Sequence, residues 1–389
     1  DMKQMNHSTR RAMLTAVAFA TAFLAAPLAH AQAAKVLKMG SILSLTGPNA
    51  SIGKEAVFGL EYAFKQLNAA GGVRIGNDTY TLQLVNIDDE SKSERAVAAA
   101  ERLISSERVP VVFTTPASTS TLAVLPILEK NKTLGMSFVA SAPAVISPEL
   151  TYSFRSTLTS TNNINPSVDF LVKEKGVKTI AFLGRNDDWG RTSGKAIVAR
   201  AQSLGAKVVV EEYFDTGSTD FSALLTKVRA ANPDAVMGAA FIEDGVSMIK
   251  QYREMRLKPV FLSPSTIWSS PTFLKAAGKN AEGVYVATGS TTSDTPAIRS
   301  FTQQFEKSVG RGPLPFETTA YDAVMVVLEV MKRAGSTDPT AVRDALRKVE
   351  YKGVLQDYKF AGTNQSEVVI NINEITHGKA VMKSSIITR

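Results

Sequence analysis

The 389-residue chain has no cysteine. Disulfides, thiolate metal ligands and cysteine nucleophiles are therefore excluded together. Histidine is almost as scarce: of three, His7 and His30 fall in the first thirty residues, leaving His377 beside a glycine near the C-terminus. Without that one residue the remaining chain cannot assemble a Ser-His-Asp triad or a two-histidine zinc site. This argues against most hydrolase chemistry, and no cofactor or metal is implied. The charge balance also lacks a strong sign, since 44 basic and 36 acidic residues give a net charge of +8. No basic run or arginine-aromatic interleaving accompanies it, so no nucleic-acid partner is expected. The apolar stretch Ala12–Ala26 is too short to span a membrane.

That stretch has a different reading. Arg10-Arg11 precede it, and Pro27 and the small-residue site Ala29-His30-Ala31 follow it. Residues 1–31 are expected to be a cleavable secretory signal peptide, with Sec and twin-arginine export both open. No cysteine follows the cut, which excludes a lipoprotein anchor. The mature chain is expected to begin near Gln32 and to be soluble outside the cytoplasm. Its length and its 44% hydrophobic content fit two domains.

Strand and helix patterns alternate from Val36 onward. Val36–Leu45, Thr79–Ile87, Val109–Phe113 and Gly135–Val139 read as strands, with helical periodicity between them at Gly53–Asn68, Ser91–Ser106 and the run after Ala117. The pattern restarts after Arg155. Helices are expected at Pro166–Lys175, Thr192–Leu204, Phe221–Ala231 and Gly245–Met255, and strands at Lys178–Leu183, Lys207–Glu212, Ala235–Ala240, Pro259–Leu262 and Gly283–Thr288. Three more helices and a strand pair, Val354–Phe360 with Glu367–Ile375, complete the chain. Strict alternation implies an α/β fold: two Rossmann-like lobes with parallel central sheets, joined by several crossing strands. The expected lobes are residues 32–156 plus 290–353, and 157–289 plus 354–389. Ligands in such sheets bind beyond the carboxyl ends of the strands.

One strand end is unusually rich in hydroxyls. Thr114–Thr121 holds six Ser/Thr side chains in eight residues and opens a helix. Such residues are good caps, and they also suit an anion site at a helix N-terminus; both readings stand at this level. Asp88-Asp89-Glu90 reads as a strand-end turn capping the next helix rather than as paired catalytic carboxylates. Gly71–Gly76 follows a helix and precedes a strand, the reverse of a dinucleotide fingerprint, and reads as a helix stop with a hairpin-like turn. Tyr321-Asp322 fits either the cleft or the core.

From Val36 to its end the chain resembles the type I periplasmic substrate-binding proteins of the leucine/isoleucine/valine-binding family, which serve ABC importers. The resemblance rests on Gly40–Pro48 with Gly53, Leu67–Val73, Asp88–Ser91, the Ser118–Thr121 turn, Asn186–Gly190, Asp220–Leu225 and Ala281–Val284, in that order. It implies a small-molecule carboxylate ligand, an inner-membrane ABC permease as partner, a monomer and no catalysis. A ligand sensor of the same fold reporting to a membrane receptor is the alternative. The carried-over contacts are Pro116, Ser118 and Thr119 for the ligand carboxylate, Ala140 and Ser141 on the next strand end, and Trp189 and Phe241 as aromatic cover. Ile52 takes a place that is often aromatic in relatives. Near Ser265 amino-acid binders carry an acid that pairs the α-ammonium, and here Ser263-Pro264-Ser265-Thr266 offers none. Asp187, Asp188, Glu243 and Asp244 are the possible substitutes. Trp268 is expected as a lid contact or a surface anchor. The missing acid favours a carboxylate without an α-ammonium, aromatic or short aliphatic, with a branched-chain or hydrophobic amino acid still open.

Overall fold

The structure is a computed structural model that describes residues 34–289 and 295–388; the expected signal peptide, residues 1–31, lies outside them. Two mixed sheets organise the chain. The first has the order β2-β3-β1-β4-β5-β6. It is built from β1 (Lys35–Leu43), β2 (Val73–Ile75), β3 (Asp78–Asp88), β4 (Val111–Phe113), β5 (Leu134–Ser137) and β6 (Ser153–Arg155). Only β2, the short hairpin partner of β3, runs antiparallel to its neighbour. The second sheet has the order β15-β14-β11-β10-β9-β7-β8. Its strands are β7 (Thr179–Arg185), β8 (Lys207–Phe214), β9 (Ala235–Ala239), β10 (Val260–Ser263), β11 (Tyr285–Gly289), β14 (Val368–Thr376) and β15 (Lys379–Thr388). Here β7 to β11 pair in parallel, while β14 and β15 close one edge antiparallel.

The central strands are buried on both faces, as the all-buried patterns of β4 and β9 show. That matches parallel strands covered by helices. Helices α1 (Ala50–Ala69), α2 (Ser93–Ser105) and α3 (Ser118–Lys130) belong to the first sheet. Helices α4 (Ser160–Asp169), α5 (Asp188–Ser203), α6 (Ser222–Ala231), α7 (Ile242–Glu254) and α8 (Pro271–Ala277) follow in the second. Helices α9 (Pro296–Val309), α10 (Pro315–Ala334) and α11 (Pro339–Leu346) return to the first lobe, where Phe305, Val327 and Leu346 join its core. Two glycines show how tightly helix and strand end meet. A Cβ on Gly53 would lie 1.8 Å from the Ser44 carbonyl oxygen, and one on Gly190 would lie 2.0 Å from that of Arg185. Both contacts are with backbone and leave no room for any other residue.

The chain passes between the sheets three times: after β6, after β11 and before β14. The first and third passages are zipped together. Arg155 bridges Gln365 in parallel, its Nε donates to Gln365 Oε1 at 2.5 Å, and the Asn364 amide reaches the Ser153 carbonyl at 2.8 Å. The last passage falls later than the expected boundary at 354, because Tyr358 and Phe360 pack in the first core. The expected strand pair is also different. β12 (Glu350–Lys352) and β13 (Asp357–Lys359) form their own small hairpin, and β14 pairs with β11 and β15. Helix α4 starts six residues before Pro166, capped by Thr159, whose hydroxyl accepts the Asn162 N–H at 2.9 Å. No helix among the described residues is long and apolar enough to cross a membrane.

Candidate ligand-binding cleft

The carboxyl ends of strands from both sheets converge on one cavity of about 90 Å³. Pro116 and Ser118 follow β4, and Phe138, Val139 and Ser141 follow β5. From the second sheet come Trp189 after β7, Phe241 after β9, and Pro264, Ser265, Thr266 and Ile267 after β10. Six of the nine residues singled out in the sequence therefore share this wall: Pro116, Ser118, Ser141, Trp189, Phe241 and Ser265.

Ile52, Thr119 and Ala140 do not. Ile52 is fully buried on α1, yet it packs in the core of the second sheet. Ala140 is buried in a separate cluster with Ala142 and Val145. Thr119 is exposed, and its hydroxyl accepts the Asp188 N–H of α5 at 3.2 Å.

The hydroxyl run resolves into distinct roles. Ala117 is the N-cap of α3 and has no side chain able to accept a bond, so the first-turn N–H groups lack a capping side chain. The expectation that the other hydroxyls cap this helix is overturned. Thr115 donates to the buried Asp89, Thr121 donates to the Thr115 carbonyl at 2.8 Å, and Ser120 bonds Ser93 at 3.1 Å. Asp89 also accepts from Ser44 at 2.6 Å and from the Ser91 N–H. Asp88-Asp89-Glu90 thus ties strand ends together and does not cap α2, whose N-cap is Lys92. Ser118 Oγ accepts the Ala142 N–H at 3.1 Å, which leaves its own proton for an oxygen in the cavity. An uncapped helix start, its dipole and one free hydroxyl proton can hold a carboxylate without a cation.

The opposite wall is aromatic. Trp189 and Phe241 lie against each other with centroids 5.2 Å apart. Behind them the buried Arg185 guanidinium sits 4.0 Å from the Phe241 ring and pairs with Asp187 at 3.0 Å and Asp244 at 3.7 Å. Burial raises the Asp244 carboxyl above its usual range, with Arg185 opposing that rise. Asp187 caps α5 through the Gly190 N–H, and Asp188 is exposed at the same helix start. The exposed Glu243 accepts from Ser51 of α1. None of these four acids lines the cavity, and among the described residues no Asp, Glu, Lys, Arg or His does. Among the described residues no cluster of His, Asp or Glu is placed to hold a metal ion.

Trp268 is neither a lid nor a surface anchor. It is fully buried, stacked between Phe261 and Phe273 at 5.5 and 4.6 Å, and its Nε1 donates to the Ala240 carbonyl at 3.0 Å. Tyr321 belongs to the first core and donates to Gln66 at 2.7 Å.

Several wall residues had no sequence signal. Ser156, Thr157, Leu158 and Asn163 come from the first crossing and α4. Pro315, Phe316 and Thr319 come from the start of α10, and Leu355, Gln356 and Tyr358 from the small hairpin. Asp322 positions that hairpin. It is fully buried and accepts the Val354 and Leu355 N–H groups, each at 2.9 Å, and the Tyr358 hydroxyl at 3.0 Å. Burial pushes its carboxyl up to about 6 against these three bonds.

Two α/β lobes crossed three times by the chain, with a ligand-sized cavity at their facing strand ends, define a two-lobed binding protein. The chain belongs to the periplasmic binding protein family, whose profile matches residues 36–370, and its type is that of the leucine/isoleucine/valine-binding proteins of ABC transporters. It is a substrate-binding protein and not an enzyme. It is similar to the leucine-, isoleucine-, valine-, threonine- and alanine-binding protein of Pseudomonas aeruginosa, at 28% identity over 85% of this chain and 87% of that one. Among solved structures, a leucine binding protein from Thermotoga maritima shares the fold with a TM-score of 0.81 at 22% identity, covering 90% of this chain and 99% of that one. A solute binding protein from R. palustris in complex with benzoate also has a TM-score of 0.81, at 19% identity, covering 91% and 98%.

Proposed function

We propose that the cleft captures a small carboxylate lacking an α-ammonium and delivers it to an inner-membrane ABC permease, the exported chain acting as a periplasmic monomer. The observation that carries this reading is a cavity with neutral anion donors at the start of α3 and, among the described residues, no ionised side chain in its wall. An ammonium taken into such a wall without a carboxylate partner costs several kcal/mol. A carboxylate loses little there, because hydrogen bonds to a charged group contribute about 1.5–3 kcal/mol each. The aromatic pair Trp189 and Phe241 would cover an aromatic or short aliphatic body. At about 90 Å³ the space is far below that of drug-sized pockets. Related proteins bear names on both sides: the Pseudomonas relative is named for amino acids, and the R. palustris structure holds benzoate.

A thermal-shift screen of the mature protein decides between them. Benzoate or 4-methylpentanoate is expected to raise Tm more than leucine does. A strong shift with leucine and none with either acid would reverse the reading.

A further inference from the structure

Two polar groups in the cavity wall have no partner among the described residues. Asn163 is 2% exposed, and its Nδ2 donates to the Pro264 carbonyl at 2.8 Å while its Oδ1 accepts nothing. Because a carbonyl can only accept, that bond settles which way the amide is turned. Ser156 is 3% exposed; its backbone N–H donates to the Ser137 carbonyl at 2.9 Å, and its Oγ is unpartnered. Thr114 and Ser193 also keep unpartnered hydroxyls, but neither lines the cavity. Buried polar groups are nearly always paired, so an unpaired acceptor and an unpaired hydroxyl in one ligand cavity call for a ligand group that pairs them.

The complement of these two groups can be specified. Asn163 Oδ1 needs a donor, and Ser156 Oγ can donate or accept. A ligand hydroxyl can give its proton to Asn163 or take the Ser156 proton. Both side chains are neutral, which suits a hydroxyl better than an ammonium. Their placement matters too. Asn163 stands on α4 and Ser156 on the crossing after β6, whereas the carboxylate donors stand at the start of α3 in the first lobe. A ligand carrying both groups is held from both sides of the cleft.

We propose that Asn163 and Ser156 form a hydroxyl-recognising subsite, so that the preferred ligand is a hydroxylated carboxylate. This rests on the des-amino carboxylate reading above. The test is calorimetric titration of the mature protein with benzoate, 3- and 4-hydroxybenzoate, 4-methylpentanoate, 2-hydroxy-4-methylpentanoate and leucine. In at least one series a hydroxylated acid is expected to bind at least about tenfold tighter than its parent. In Ser156→Ala and Asn163→Leu that ratio is expected to collapse to within about twofold. A ratio compares two ligands on one protein, so a general folding defect does not imitate the result. Equal binding of parent and hydroxylated acids overturns the subsite alone, as does a ratio that persists in both variants. Binding of leucine with no des-amino acid overturns the parent reading and the subsite together, whereas binding of a parent acid with no hydroxylated acid overturns the subsite alone.

Discussion

Ser118→Ala separates two jobs held by one hydroxyl. Ser118 Oγ accepts the Ala142 N–H at 3.1 Å, and its proton is free for a ligand oxygen. A hydrogen bond to a carboxylate contributes about 1.5–3 kcal/mol, which corresponds to about a 10- to 150-fold change in Kd. The stability effect is separate. Removing the acceptor strands the buried Ala142 N–H, at a cost of about 1–3 kcal/mol. With an unfolding entropy of about 2.1 cal/mol/K per residue, a fold of this size loses about 1–4 °C of Tm for that cost. The turn itself should persist, because the Ala142 carbonyl is held by Arg155 Nη1 at 2.7 Å.

The assay is therefore paired: ligand-free Tm by calorimetry, and Kd by titration with the acid that gives the largest thermal shift. A small drop in Tm with at least about a tenfold loss of affinity is expected, and Ser118→Thr, which keeps the hydroxyl, should restore part of it. If Tm falls while Kd stays within about twofold, Ser118 only braces the turn. The carboxylate is then not bound at the start of α3.

Three further outcomes follow from the packing. Trp189→Ala removes half of the aromatic cover and is expected to weaken binding by at least about tenfold, since burying an aromatic surface contributes about 1.5–3 kcal/mol; titration within twofold of wild type contradicts its placement. Gly190→Ala forces a Cβ to 2.0 Å from the Arg185 carbonyl oxygen, so a clear fall in Tm or loss of soluble protein is expected, and an unchanged melting curve refutes the contact. Glu55 on α1 accepts from Thr272 of α8 at 2.8 Å, and burial pushes its carboxyl up to about 7, with Glu317 adding to the rise and Arg311 opposing it. A carboxyl raised in the folded chain contributes stability fully below its ordinary value of 4.5 and loses that contribution as pH climbs through about 7. Tm is thus expected to fall between about pH 5 and 8, with that fall reduced in Glu55→Gln; an equal fall in the variant assigns the titration to another group.

The strands and helices of both lobes were legible because hydrophobic periodicity and helix stops agree along most of the chain. The failures have physical causes. Pro166 suits the first position of a helix, so it read as a start. The actual cap is Thr159, so Asn163 lies inside the helix, ahead of the proline that marks its start by sequence. Trp268 sits between a strand and a helix, where an aromatic reads as surface. It is buried because Phe261 and Phe273 take its two faces and Gly245, whose Cβ would meet the ring at 2.8 Å, leaves it room. The small hairpin contributes Leu355, Gln356 and Tyr358 through Asp322, a link across more than thirty residues that no local pattern records. The hydroxyl run was visible at once, yet only coordinates separate Ser118 from its neighbours, since all six residues suit the same turn chemistry.

Recognition by neutral groups also bears on how binding and closure are coupled. Polar pairs already cross the cleft: the Asp188 N–H to Thr119, Arg185 Nη2 to Asn49 at 3.2 Å, Ser51 to Glu243, and Thr272 to Glu55. Water can replace most of these partners when the lobes part, so each adds only about 0.5–1.5 kcal/mol. A ligand shifts the equilibrium by its differential contact with the two states and by nothing else. A carboxylate bound at the start of α3 touches one lobe and by itself leaves closure unchanged. The body of the ligand, set between Pro116 and Phe138 on one side and Trp189 and Phe241 on the other, meets both walls only when they are together. Orientation and closure are therefore assigned to different residues. Ser118→Ala should weaken binding while the bound form still closes, whereas Trp189→Ala should leave a ligand that binds without closing the cleft. Small-angle scattering with and without the acid distinguishes the two: contraction on binding in Ser118→Ala and none in Trp189→Ala supports this division, and equal contraction in both refutes it.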